Sequence, residues 1–113
     1  MAYDEDLANR VRELLAGAGA TSVTEKKMFG GLAFLVGGNM AVAASGQGGL
    51  MVRVDPVEGE KLLDRDGVRP MEMRGREMSG WLRVDADAVR TKRQLDPWVR
   101  RGVGYASSLP AKG

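Results

Sequence analysis

Hydrophobic and polar positions alternate most regularly in the middle of the chain, between Lys26 and Val54. Leu32–Val36 is a continuous apolar run, and the following Gly37–Asn39 segment suits a tight hairpin that needs positive φ. In Met40–Ala44 and Leu50–Val54, successive side chains point to opposite faces of a strand, and the valines share one face. The pattern therefore predicts an antiparallel meander of three strands.

The segments on either side of this meander carry other signals. The N-terminal segment has an apolar stripe with helical spacing, formed by Leu7, Val11, Leu14, Leu15 and Ala18. Asp55–Pro56 is typical of a helix start, with aspartate as the N-cap and proline at the first helical position. Val68–Met73 and Trp81–Val84 are predicted to form a second hairpin, in which Pro70 indicates an edge strand.

The last predicted helix ends near Leu109 and has two candidate starts. Thr91 can cap it, but Asp96–Pro97 is a second cap signal, so we expect a kink or a restart there. The predicted order is α-β-β-β-α-β-β-α. Residues 1–113 are therefore expected to form a single α+β domain, a two-layer α/β sandwich with helices packed on an antiparallel sheet.

Composition narrows the chemistry that is available to this chain. It has 113 residues, of which 43% are hydrophobic and 28% charged, and it contains no cysteine and no histidine. Ser-His-Asp and Cys-His catalysis and the usual zinc sites are excluded. The glycines form no phosphate-binding motif, and the paired acids lack the ligand pattern of a calcium loop. We therefore expect no enzyme activity, no metal and no cofactor.

The location of the protein can also be anticipated from hydropathy. No apolar run approaches the roughly 20 residues of a membrane span, and the N-terminus lacks the apolar region of a signal peptide. The sequence accordingly predicts a cytoplasmic protein without a membrane partner.

The net charge is only +2, but basic residues are concentrated in the C-terminal part of the chain. The candidate contacts for a partner or for nucleic acid are Lys26, Lys27, Arg90, Lys92, Arg93, Arg100 and Arg101. Lysine and arginine contacts to phosphate give affinity without sequence specificity. An alternative interpretation makes the two lysines guards of an edge strand and the arginines part of a solvated helix face.

Methionine is the other unusual feature, with seven in the chain. Most lie in or near the predicted strands, where they form an adaptable binding face or fill the core.

These residues also carry a resemblance to a known family. KKMFGGLAFLVGGNMAVAAS, followed by a valine-rich strand and DPVEGEKLL, resembles the N-terminal domain of the TfoX/Sxy family of competence regulators. Its most specific part is the signature formed by Met28, Phe29, Gly30 and Gly31, and WVRRGVGYASSLPAK resembles the last helix of that domain. The resemblance implies a two-layer α/β fold similar to that of secretion chaperones. It carries no catalytic residues.

The resemblance also implies a function. Full-length members act in the transcription of DNA-uptake genes alongside a cyclic-AMP receptor protein, and they carry a further C-terminal domain. We expect a single-domain member that acts as a regulatory module through contacts with a protein of the transcription machinery, as a monomer or a homodimer. The alternative is weak, non-specific nucleic-acid binding through the basic C-terminal helix.

Overall fold

A computed structural model of the protein describes residues 3–17, 22–28 and 30–110. Its elements are α1 (Glu5–Gly17), β1 (Val23–Met28), β2 (Gly31–Val36), β3 (Asn39–Ala44), β4 (Leu50–Arg53), α2 (Pro56–Leu62), β5 (Val68–Met73), β6 (Arg76–Val84), a 3-10 turn (Ala86–Val89) and α3 (Lys92–Ser108). In this part of the chain the strands form one antiparallel sheet of six, in the order β1-β2-β3-β4-β6-β5. The predicted class, an α+β sandwich of helices on an antiparallel sheet, is confirmed.

One strand more than expected lies at the edge of the sheet. β1 pairs with β2 along its whole length, from Val23 opposite Val36 to Met28 opposite Gly31. Thr24–Lys27 contains no apolar residue, so no alternation in the sequence reveals this strand. All four of those side chains are exposed, so backbone pairing with β2 rather than burial specifies the strand. At the other edge lies β5, where Pro70 had indicated an edge strand.

The main core lies between the helices and one face of the sheet, which we call the helix-covered face. The helices contribute buried side chains such as Val11, Leu62 and Leu95. The strands contribute residues such as Phe34 and Leu82, both at most 1% exposed. Burying apolar side chains of this size stabilises the fold by roughly 1.5–3 kcal/mol each.

Helix α3 is a single continuous helix. Thr91 caps it through a capping box, in which its hydroxyl accepts from the Gln94 backbone and the Gln94 side chain accepts from the Thr91 backbone. The predicted restart at Pro97 is wrong, because the helix runs through this proline to Ser108. Pro97 is the sixth residue of the helix, where it removes one N–H donor and its ring crowds the carbonyl of Arg93. The burial of Leu95, Trp98 and Val99 in the main core outweighs this cost.

The opposite face of the sheet carries a second cluster, built from strand residues alone. Its buried members are Ala33, Met40, Ala43, Met51 and Met71. The buried apolar side chains of α1 and α2 pack in the main core, on the other side of the sheet. So do Leu95, Trp98 and Val99 of α3. We call this second surface the helix-free face.

Candidate interaction surfaces

The signature glycines have backbone roles at the β1–β2 connection. Gly30 adopts φ of 73°, in the left-handed region that favours glycine. A Cβ atom built on Gly31 would lie 2.0 Å from the carbonyl oxygen of Ala44, so β2 approaches β3 too closely there for any other residue. Met28 is half-buried beside the helix-free cluster. Phe29 lies outside the described residues.

Lys26 and Lys27 are exposed on edge strand β1 but do not share a face. Residues opposite each other in an antiparallel ladder project to the same side of the sheet. Lys26 is opposite Ala33 on the helix-free face, whereas Lys27 is opposite Leu32, which belongs to the main core. The two ammonium groups therefore cannot act together on one anion, and their position at the edge suits protection against strand pairing.

The predicted basic helix is largely matched with acids. Of the five cations predicted for this helix, Arg90 lies just before its first residue, Lys92, and the other four lie within it. Four of the five have an acidic neighbour: Arg90 with Asp87, Lys92 with Glu13, Arg100 with Asp96 and Arg101 with Glu58. Within the described ranges, Arg93 has no ion pair. Exposed pairs of this kind contribute only about 0–1 kcal/mol to stability. Their carboxylates nevertheless reduce the positive potential that would attract a phosphate backbone.

Arg101 differs from the other cations of this helix. Its Nε lies 3.6 Å from Glu58 Oε1, beyond hydrogen-bonding distance, while Arg100 Nε lies 2.7 Å from Asp96 Oδ2. Within the described part of the chain, the buried Nη1 atom of Arg101 has no hydrogen-bond partner. Burial and the nearby positive charge of Arg65 lower the pKa of the Arg101 guanidinium, and Glu58 acts in the opposite direction.

Three arginines lie against aromatic rings, and two of them, Arg53 and Arg65, are not among the predicted contact residues. Arg65 and Arg101 both approach Trp98, with Cζ at 5.9 Å and 4.9 Å from a ring centroid. Arg53 lies between Trp81 at 5.1 Å and Tyr105 at 5.6 Å. Such contacts stabilise by about 0.5–1 kcal/mol when exposed. Arg101 and Trp98 are helical neighbours at i and i+3, but the contacts of Arg65 and Arg53 join residues far apart in sequence, so no local pattern predicts them.

The helix-free face combines methionines with cations. Met40 and Met51 are each 4% exposed, so they fill the sheet surface and form no open apolar patch. Register places Arg83 beside Met51 and Arg69 beside Arg83 on this face. Arg69 pairs with Asp85 at 3.1 Å, and Arg83 donates to the Gln47 side chain. Among the described residues, Val57 is the one strongly exposed large hydrophobic side chain, and it lies on α2.

Acidic side chains are spread over the surface rather than gathered. Among residues 3–17, 22–28 and 30–110, no group of three or more Asp or Glu side chains converges closely enough to hold a metal ion. In the same described ranges, none of the helices combines the length and the apolar character needed to cross a bilayer.

Comparison with known proteins gave one match. The family model of the TfoX N-terminal domain matches residues 13–106, from within α1 to near the end of α3. No curated protein and no solved structure matches the chain. The matched segment includes the complete sheet and the signature glycines. The chain therefore belongs to the TfoX N-terminal domain family, a family of regulatory, competence-related domains.

Proposed function

We propose that this domain is a non-enzymatic, cytoplasmic module that regulates transcription through contacts with another protein. Family membership supports a regulatory role. The chain also lacks histidine and cysteine, the side chains most often used for proton transfer and nucleophilic attack near neutral pH.

One observation carries the proposal, namely the chemistry of the helix-free face. The methionines at its centre are buried, but the partly exposed side chains of Met28, Leu35 and Trp81 pack against them and give this face apolar groups that a partner can contact. Lys26 and Arg83 stand beside this cluster and have no acidic partner within the described part of the chain. A protein segment with acidic and apolar side chains complements such a surface.

Nucleic-acid binding through α3 has less support. Most of the helix's cations have acidic neighbours, and Trp98 is 5% exposed within the core rather than available for stacking on a base. The cations of the helix-free face would contact a protein, whereas those of α3 would contact nucleic acid. Variants of one set or the other can therefore separate the two functions.

Pull-down from native lysate with the tagged domain tests the proposal. The experiment compares nuclease-treated with untreated lysate at two salt concentrations. We expect a defined protein, such as a polymerase subunit or a transcription activator, to be recovered after nuclease treatment. The Lys26→Glu/Arg83→Glu variant should lose it, because both changes reverse charges on the helix-free face.

The matched control is Lys27→Glu/Arg93→Glu. It makes the same change in net charge at exposed positions, but Lys27 and Arg93 lie on the helix-covered side. This control should retain the protein partner. Two outcomes would replace the proposal with nucleic-acid binding through α3. Either nuclease treatment abolishes the recovery of the partner, or the control variant alone abolishes it. Light scattering on the purified domain would show whether the partner is a second copy.

A further inference from the structure

A small cavity lies between α3 and the chain that joins α2 to β5. Its volume is about 260 Å³. Val68, Ala88, Pro97 and Trp98 supply apolar lining, and Arg65 and Arg93 stand at the cavity from opposite elements. The cavity is therefore an apolar recess with cations from two separate parts of the chain.

The guanidinium groups of the two arginines at this cavity are available to bind an anion. Within the described residues, neither the Arg65 nor the Arg93 side chain has an ion pair or a hydrogen bond. Arg90 and Arg100, which flank the same region of sequence, each contact a carboxylate. Asp66 also lines the cavity and supplies the one negative charge there, so the lining has an excess of positive charge.

Arg101 does not line the cavity, but its guanidinium Cζ lies 4.9 Å from the ring centroid of Trp98 and adds positive charge nearby. Arg65 and Arg101 both approach that indole. Burial, and after it the positive charge of Arg65, lowers the pKa of the Arg101 guanidinium. The Arg101 Nη1 atom has no hydrogen-bond partner within the described part of the chain. Glu58 supplies one negative charge against the two guanidinium groups, so the surroundings of Trp98 keep an excess of positive charge. Groups whose pKa is shifted by burial and by a neighbouring charge are frequent at binding sites.

We propose that this cavity binds the phosphate group of a small phosphate monoester. The planar forks of Arg65 and Arg93 suit bidentate contacts to phosphate oxygens. A monoester carries about −1.5 to −2 charges at neutral pH, which matches two uncommitted guanidinium groups better than a single carboxylate does. The exposed Pro97 and the half-buried Ala88 receive the organic part of the ligand, above the buried Trp98. The volume lies below the roughly 300–1,000 Å³ typical of larger ligands.

This site is independent of the proposed regulatory contact. It lies on the helix-covered side, so loss of the protein partner in a pull-down would leave it unaffected. A phosphate ester bound here would link α3 to the α2–β5 connection and stabilise the folded state by mass action.

Tryptophan fluorescence gives a direct test. The chain has two tryptophans, so the Trp81→Phe variant leaves Trp98 as the single reporter. Phenyl phosphate is titrated at constant ionic strength, with sodium chloride as the balancing salt. We expect a saturable change in fluorescence. Arg65→Gln and Arg93→Gln, made in that background, should each raise the dissociation constant about tenfold or more, since each removes a charge-assisted hydrogen bond.

Two further variants test whether a loss of affinity is specific to the cavity and to the guanidinium geometry. Arg90→Gln removes an arginine that pairs with Asp87 outside the cavity and should leave the dissociation constant within about twofold. Arg93→Lys keeps the charge but loses the fork, so its affinity should fall between those of the parent and Arg93→Gln. Circular dichroism confirms that each variant is folded. A non-saturable response, or an equal loss in Arg90→Gln, would overturn the assignment.

The class of phosphate is tested with dimethyl phosphate, which carries one charge and resembles a nucleic-acid backbone group. We expect it to bind at least about tenfold more weakly than phenyl phosphate, and inorganic phosphate to bind with intermediate affinity, because it has the charge but no organic part. Equal binding of the diester would identify the cavity as a nucleic-acid backbone contact and would overturn the monoester proposal.

Discussion

Two glycines of α3 show how strongly the fold depends on single atoms. A Cβ on Gly102 would lie 2.5 Å from the Ala41 carbonyl oxygen, whereas a Cβ on Gly104 would have no atom within 4 Å. Ala41 is the additional residue of a bulge in β3, where the pairing shifts from Phe34 opposite Val42 to Leu35 opposite Met40. The bulge and the glycine together let the helix approach the sheet backbone.

The two alanine substitutions should therefore have opposite effects. Gly102→Ala should lower the free energy of unfolding by about 1–3 kcal/mol, because the helix must move away from β3. Gly104→Ala should raise it by up to about 1 kcal/mol, since alanine restricts the unfolded chain and favours the helix. Urea denaturation monitored by circular dichroism measures both. If the two variants shifted the midpoint equally, the close approach at Gly102 would be refuted.

At the same scale, sequence reasoning succeeded where the determinant is local. Asp55 accepts hydrogen bonds from the Val57 and Glu58 backbones, as its position before a proline predicted, and Thr91 caps α3. The need for glycine at position 102 was not predictable, since it depends on contact with β3, far away in the chain. The contact of Arg65 with Trp98 was not predictable for the same reason, because the two residues are far apart in the chain.

At the scale of elements, an ion pair joins α1 to the edge strand β1. The Arg12 guanidinium donates from Nε and Nη2 to the two carboxylate oxygens of Glu25, each at 2.7 Å. This hydrogen bonding lowers the pKa of Glu25, and partial burial opposes the shift. The pair therefore stabilises the fold above the pKa that Glu25 has in the unfolded chain. Its contribution is lost as the pH falls through the lower, folded-state value.

Glu25→Gln should lower the free energy of unfolding at pH 7 by about 0.5 kcal/mol, a modest value because both side chains are partly exposed. The difference between variant and parent should shrink towards zero as the pH falls into the acidic range where Glu25 is protonated. Urea titrations at a series of pH values measure it. Glu72→Gln is the control, as Glu72 has no ion pair within the described residues. A difference that stayed constant down to low pH would exclude the ion pair as the cause.

Helices and strands were predicted from the sequence wherever burial of one face imposes a regular spacing of apolar residues. The meander, the second hairpin and both long helices follow from apolar alternation or helical stripes. β1 did not, because its side chains from Thr24 to Lys27 are solvated and its strand form depends on β2. Pro97 suggested a restart of α3, yet the packing of Leu95, Trp98 and Val99 on one core keeps the helix continuous.

For the whole molecule, the distribution of charge matters more than its total. The basic character of α3 and the local acid Asp96 are visible in the sequence, but the pairing of Glu13 and Glu58 with its cations is not, since these two acids come from other helices. Likewise, the alternation of side chains along the strands predicted that the sheet has two different faces, but not what covers each of them. The structure places the helices on one face and leaves methionines and cations on the other.

This charge arrangement predicts how the molecule responds to DNA. The parent domain should bind duplex DNA weakly and with a shallow salt dependence, because acids accompany most α3 cations. Asp87→Asn/Asp96→Asn releases Arg90 and Arg100 from their partners without removing a cation. Each cation that becomes available for phosphate should steepen the slope of log affinity against log salt by about 0.9. Fluorescence anisotropy with a labelled duplex at several salt concentrations measures that slope.

The control for this experiment must change the net charge by the same amount elsewhere. Glu60→Gln/Glu72→Gln removes two exposed acids on α2 and β5 that have no ion pair within the described part of the chain. If local pairing on α3 limits DNA binding, this control should steepen the slope much less than Asp87→Asn/Asp96→Asn. Equal slopes in the two variants would mean that total charge governs the interaction. The acidic neighbours of α3 would then have no specific role in keeping the domain away from nucleic acid.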